Sequence, residues 1–193
     1  RVDQDLAADA AELDHVGDQH TPEPGPRRDQ RTPGDHPHAD IRHFSGTAAY
    51  HLSLRIPPGI LRESRRIYLD LGHIGVIAEV KLNGRELGIL WKPPFRIDIT
   101  AAVQTGGNEL EVRVTNLWIN RLIGDESLPE DAVWEGPRLK AWPQWLLEGK
   151  PSPTGRSAFT TYKLWHKGDP LMESGLIGPV RLEIRRPASP TSA

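Results

Sequence analysis

The chain has 193 residues, a formal net charge of -2 and no cysteine. That length holds one substantial domain, or a domain with a tail, and a folded unit of this size buries about 68–70% of its unfolded surface without covalent staples. The charge balance argues against a nucleic-acid binder, the missing thiols exclude disulfides and thiolate metal sites, and no apolar run approaches the ~20 residues that span a bilayer.

Residues 1–40 lack any aromatic side chain and are rich in Asp, Pro and His, as in Thr21-Pro22-Glu23-Pro24-Gly25-Pro26. Such a stretch buries too little apolar area to offset its ordering entropy, so a disordered tail is expected. A short helix through Leu6, Ala10, Leu13 and Val16 is conceivable, but isolated helices of this length are marginal. The first residue is Arg1 and not Met. A fragment, a processed product, or an artefactual segment upstream of Ile41 would each account for it.

From Phe44 onward the apolar period is two. Tyr50, Leu52, Leu54 and Ile56 alternate with His51, Ser53 and Arg55, and Pro57-Pro58-Gly59 ends the strand. Ile67, Leu69 and Leu71 make the next, stopped at Gly72. Val76, Ala78, Val80 and Leu82 lead into Asn83-Gly84 and then Leu87 and Ile89, a strong hairpin signal because both turn residues tolerate positive φ. On its own the Asn-Gly pair reads as a turn and nothing more. Phe95, Ile97 and Ile99 form a short strand after Pro93-Pro94. Gly106-Gly107-Asn108 turns into Leu110, Val112 and Val114. Later, Phe159 and Tyr162 suggest a strand, and Val180, Leu182 and Ile184 close the domain. Short strands with frequent turn signals and no convincing long helix predict an all-β fold, an antiparallel β-sandwich or jelly roll over residues 41–187, with a second short tail at 188–193.

Residues 117–156 interrupt the pattern. They are rich in Trp, Pro and Gly and too long for a simple connection, which marks a functional or partner-packing segment. Pro143-Gln144-Trp145-Leu146-Leu147 would make one helical turn. The strand through Val114 runs straight into Asn116-Leu117-Trp118-Ile119-Asn120-Arg121-Leu122-Ile123-Gly124-Asp125-Glu126. Aromatic faces suit the C–H face of a pyranose, and Asn, Arg and Asp pair with its hydroxyls. The sugar-binding candidates are Trp118, Asn120, Arg121, Asp125, Glu126 and Trp134.

Each candidate has a plainer reading. Arg121 and Asp125, four apart, are read first as a structural pair that pins the loop. Asn116 and Asn120 are also turn caps. The Trp-rich segment, with Trp118, Trp134, Trp142, Trp145 and Trp165, also suits an interface with another domain. Glycoside hydrolysis needs two carboxyl groups about 5–5.5 Å or about 6.5–9.5 Å apart. Asp125, Glu126, Glu130, Asp131 and Glu135 all fall on what reads as one wet loop, where carboxylates are ordinarily solvated, so no catalytic residue is assigned. Asp70, Asp98 and Glu79 fall at strand or turn positions and read as structural. His15, His20, His36 and His38 lie in the tail, and His43, His51, His73 and His166 show no ligand spacing, so neither a metal site nor a cofactor is expected.

One family resemblance is carried by specific residues. Phe44-Ser45-Gly46-Thr47-Ala48-Ala49-Tyr50, Leu69-Asp70-Leu71-Gly72, Ala78-Glu79-Val80-Lys81-Leu82-Asn83-Gly84, Trp91-Lys92-Pro93-Pro94-Phe95 and Gly107-Asn108-Glu109-Leu110 resemble the sugar-binding jelly roll of glycoside hydrolase family 2, a galactose-binding-like fold. The runs Asn116 to Asp125 and Ser174-Gly175-Leu176-Ile177-Gly178-Pro179-Val180 are closer still to the C-terminal domain of α-L-rhamnosidase-like hydrolases of family 106. The resemblance spans about residues 41–186 and leaves 1–40 unmatched. It implies an accessory domain of a bacterial, extracytoplasmic glycoside hydrolase, with carbohydrate and a separate catalytic barrel as partners. A barrel of that kind needs about 200 residues or more of its own. A free-standing carbohydrate-binding module and a purely structural buttress remain the alternatives.

Overall fold

The computed structural model of the chain describes residues 38–61 and 65–185. The helix considered near Leu6–Val16, the tail at 188–193 and all of 1–40 except its last three residues lie outside them. In chain order the elements are α1 (Ala39–Arg42), β1 (Thr47–Ile56), β2 (Arg66–Asp70), β3 (His73–Ile74), β4 (Ile77–Leu82), β5 (Arg85–Leu90), β6 (Arg96–Asp98), β7 (Gly106–Thr115), α2 (Ile119–Asp125), β8 (Val133–Glu135), β9 (Arg138–Ala141), α3 (Gln144–Leu147), β10 (Leu176–Gly178) and β11 (Arg181–Arg185). None of these helices is long and apolar enough to cross a membrane.

The described residues divide into two units. One is Thr47–Asn116 with the stretch from Gly175, and the other is Leu117–Ser174 with the stretch up to Gly46.

The first unit is an antiparallel β-sandwich. One sheet has the order β1-β7-β4-β5, a second has β11-β2-β6, and β10 pairs with β3. β1 and β7 run in unbroken register from Thr47 opposite Thr115 to Ile56 opposite Gly106. The alternation in the sequence becomes the inner face: Leu54 and Ile56 on β1, Ala78, Val80 and Leu82 on β4, and Leu110, Val112 and Val114 on β7 are buried. They share one core with Ile67 and Leu69 of β2 from the other sheet. Each buried Val, Leu or Ile among them contributes about 1.5–3 kcal/mol relative to exposure, so the core is the dominant stabilising term of this unit.

Asn83 and Gly84 turn the β4–β5 hairpin at φ 52° and 79°. The reading of this pair as a bare turn needs correcting. The Asn83 Oδ1 accepts the Glu109 N–H at 2.9 Å, and its Nδ2 donates to the Asn108 Oδ1 at 2.8 Å and the Ala102 carbonyl at 3.0 Å. Asn108 is 2% exposed and would be a costly buried amide without these partners. The turn therefore also locks the start of β7.

Gly72 and Gly178 explain two glycines in the resembling motifs. Gly72 sits at φ +65°, and a Cβ there would come 2.5 Å from the Gly178 carbonyl carbon and oxygen. The two residues form a bridge that brings the β10 end of the chain against the β2–β3 turn. The Tyr50 hydroxyl accepts the Leu176 N–H at 3.1 Å and holds the same strand from β1. Gly72→Ala adds left-handed strain to a contact with rigid backbone, so it should lower unfolding stability by about 2 kcal/mol or more in urea denaturation, whereas Gly107→Ala, whose Cβ meets open space, should change it far less.

Candidate functional site

The second unit carries most of the sequence-predicted site residues on or beside α2. Where a polar loop was expected, residues 119–125 wind into a helix. The i, i+4 spacing of Arg121 and Asp125, together with inward-facing Asn120 and Ile123, gives the helix a buried side in which two of the three buried residues are polar. Phe159 and Tyr162 do not form the expected strand. Tyr162 makes an isolated bridge to Arg138, while the Leu139 N–H donates to the Thr161 carbonyl and the Lys163 N–H to the Pro137 carbonyl. The segment runs beside the start of β9 through these contacts alone. The single turn expected near Pro143 is α3, whose N-cap is Pro143 itself.

Asp125 is 2% exposed. Its Oδ2 accepts the backbone N–H groups of Ser157 and Ala158, both at 2.8 Å. Its Oδ1 has no hydrogen-bond partner, and the Arg121 guanidinium lies 3.6 Å away. This geometry supports the plainer reading of that pair, a helix side chain that pins a distant stretch of backbone. Asn120 does the same on the next turn. Its Nδ2 donates to the Met172 carbonyl and its Oδ1 accepts the Met172 N–H, each at 2.8 Å. Both Asn120 polar atoms and the Asp125 Oδ2 are thus committed to backbone. Trp118, at the helix start, is 63% exposed, and beside it Leu117 is 50% exposed. Trp118 stands apart from the buried pair in what it offers a ligand.

Glu126 meets a residue that the sequence reading did not single out. The Arg156 Nη1 donates to its Oε1 at 2.8 Å, while the Arg156 Nε and Nη2 donate to the carbonyls of Pro129 and Leu128, both at 3.0 Å. With only 9% of its side chain exposed, Arg156 closes the 126–130 stretch from inside. Arg156 sits in a non-periodic Gly155-Arg156-Ser157 run, so no local pattern marked it. Glu130 receives the Trp134 indole N–H at 2.8 Å and the Lys163 ammonium, and the same ammonium lies 5.0 Å from the Trp134 ring centroid. One face of Trp134 is therefore already covered by a cation. Asp131 accepts the Ser152 hydroxyl at 2.6 Å, and its carbonyl accepts the Trp145 indole N–H. The expectation of free carboxylates on a wet loop is thus corrected for Asp125, Glu126, Glu130 and Asp131. The 152–163 stretch folds back and supplies each with a fixed partner.

Leu122, Asp125, Trp134, Arg156, Lys163 and Trp165 are among the residues lining a small cleft open to solvent. Trp145 meets Phe159 edge-on at 5.9 Å and Trp142 tilts against it at 5.8 Å, with Trp142 still 57% exposed. Among the described residues no three His, Asp or Glu side chains gather as a metal would require.

No family model matches the chain. A curated protein of Formosa agariphila named "Putative beta-glucuronidase" is 51% identical over 144 residues, which is 75% of this chain and 12% of that protein. The solved rhamnosidase from Novosphingobium sp. PP1Y is 38% identical with a TM-score of 0.57, covering 80% of this chain and 12% of its own. The chain thus spans about an eighth of the length of each relative. It is similar to one part of large glycoside hydrolases, which fits a partial or accessory domain.

Two outcomes follow from these contacts. Asp125→Ala removes two hydrogen bonds from backbone N–H groups to a charged acceptor, each worth about 1.5–3 kcal/mol, and should cost about 3 kcal/mol or more of unfolding stability, read by urea denaturation. Burial alone would raise the Glu130 carboxyl, but Lys163, Trp134 and Arg156 outweigh it and hold the group below its ordinary value. Its contribution should then be complete above about pH 4.5 and fade as pH falls through the lower folded value. The Trp134 indole N–H resonance should follow that titration in NMR, and Lys163→Met should move the midpoint up.

Proposed function

We propose that this chain is an accessory β-sandwich domain of an α-L-rhamnosidase-like glycoside hydrolase, in which a catalytic barrel elsewhere in the parent enzyme hydrolyses O-glycosidic bonds. One observation carries the reading. The chain overlays most of its length on a solved rhamnosidase at 38% identity, yet accounts for only 12% of that enzyme. The carboxylate chemistry supports it. A general acid or base must reach a substrate proton within hydrogen-bond distance. Here the Asp125, Glu126, Glu130 and Asp131 side chains are engaged by backbone amides, Arg156, Lys163 and Ser152.

Within it, Trp118 is the first candidate for sugar contact. Its exposure leaves a ring face for stacking, whereas Asn120, Arg121, Asp125, Glu126 and Trp134 act by shaping the surface around it. The same exposed ring supports the second reading, a carbohydrate-binding module that works without a barrel.

Purified chain incubated with aryl α-L-rhamnoside and aryl β-glucuronide should release no aglycone above buffer, and turnover near the ~1 s⁻¹ of an ordinary enzyme would overturn the proposal. Calorimetric titration with rhamnosides separates the two readings. Saturable heat abolished by Trp118→Ala supports the independent module, and its absence supports a domain that acts only beside its barrel.

A further inference from the structure

His43 packs directly on α2 at Gly124. His43 follows α1 directly and belongs to the same unit as α2. Its imidazole is seated on the backbone of α2 at Gly124. A Cβ built there would lie 2.6 Å from the His43 Cγ, 2.7 Å from its Cβ and 3.0 Å from its Nδ1. Glycine inside a helix costs about 1 kcal/mol relative to alanine, so Gly124 marks a place where the ring needs the room. The adjacent residue is Asp125, which fixes Ser157 and Ala158 and keeps an unpartnered Oδ1.

The charges facing the ring are unequal. Arg42 comes from its own segment, and Arg121 and Asp125 come from α2. Protonation therefore adds a third positive charge beside two guanidiniums and one carboxylate, and part of that carboxylate is already committed to backbone.

We propose that His43 is an acid-sensitive latch that holds the α1 segment against α2 while the imidazole is neutral and releases it on protonation. Burial, then Arg42 and Arg121, depress the imidazole below its ordinary range, against the Ala39 carbonyl and Asp125, which favour the charged form. The direction of the linkage follows. The folded state binds fewer protons than the released state, so the latch is fully closed above about pH 6.5 and loosens as pH falls through the lower folded value. Between about pH 6.5 and that lower value up to one proton accompanies each opening, so the opening constant rises by up to about tenfold per pH unit, and it levels off once the imidazole is protonated in both states.

The test is amide hydrogen exchange of the full chain, followed by mass spectrometry at residues 38–46 between pH 7.5 and 5.0. His43→Phe keeps a ring on Gly124 and removes the titration. The wild type should lose protection relative to His43→Phe as pH falls, while the two remain alike at pH 7.5. Gly124→Ala drives the ring off its seat and should leave residues 38–46 unprotected at every pH, with Asp125 still holding Ser157 and Ala158. Parallel pH profiles for wild type and His43→Phe would overturn the proposal, as would full protection in a folded Gly124→Ala.

Discussion

The second unit hangs on one buried carboxylate. Asp125 leaves water almost completely, and a charge in that position is tolerated only because two backbone N–H groups and a nearby guanidinium receive it. Those two donors, Ser157 and Ala158, lie at the end of the Ser152–Arg156 turn, where the Ser152 hydroxyl accepts from Thr154 and Arg156 and donates to Asp131. Arg156, placed by that turn, in turn holds Glu126 and the carbonyls of Leu128 and Pro129. Removal of the carboxylate therefore unsettles more than two hydrogen bonds, because the turn that positions Arg156 loses its anchor.

The two units show two ways of building order from the same chain. In the sandwich, the backbone pairs with itself, and side chains contribute mainly by leaving water. In the second unit the strands are short, and long irregular stretches would leave many backbone groups unpaired. Asn120 and Asp125 replace the missing ladders. Asn120 presents an acceptor and a donor to one residue, Met172, as a strand partner would. This is why a seven-residue helix with no side-chain N-cap is stable there: its contribution comes from what it holds and not from its own propensity.

The same contrast decides what was legible in the sequence. β1, β4 and β7 could be read residue by residue because burial on one face of a sheet imposes period two, and Leu110, Val112 and Val114 have no other simple explanation. The Asn83-Gly84 hairpin was visible for the same kind of local reason, since both residues must accept positive φ. The service of the Asn83 amide to Asn108, 25 positions away, was not visible, because no local pattern encodes it. Helix α2 was hidden by its composition. Asn, Gly and Asp are weak helix formers, and long-range partners hold Asn120 and Asp125 in the helix. Arg156 and Lys163 were missed for that reason too. Gly124 was not singled out either, because the ring it admits comes from far upstream.

These commitments limit the chemistry that the chain can offer. A catalytic carboxyl changes its protonation state or bonding in each cycle, so it must be free to part from its neighbours. Release of Asp125 would take the acceptor from two amides, release of Glu126 would take the nearest carboxylate from an almost fully buried guanidinium, and release of Glu130 would take the carboxylate from the Lys163 ammonium. Each is more useful to the fold charged and still. An exposed indole is under no such constraint. The Trp118 ring stands largely in solvent, and its place at the start of a helix limits the entropy lost if a partner covers it. The division of labour is therefore between polar side chains that build the surface and an aromatic side chain that the surface presents.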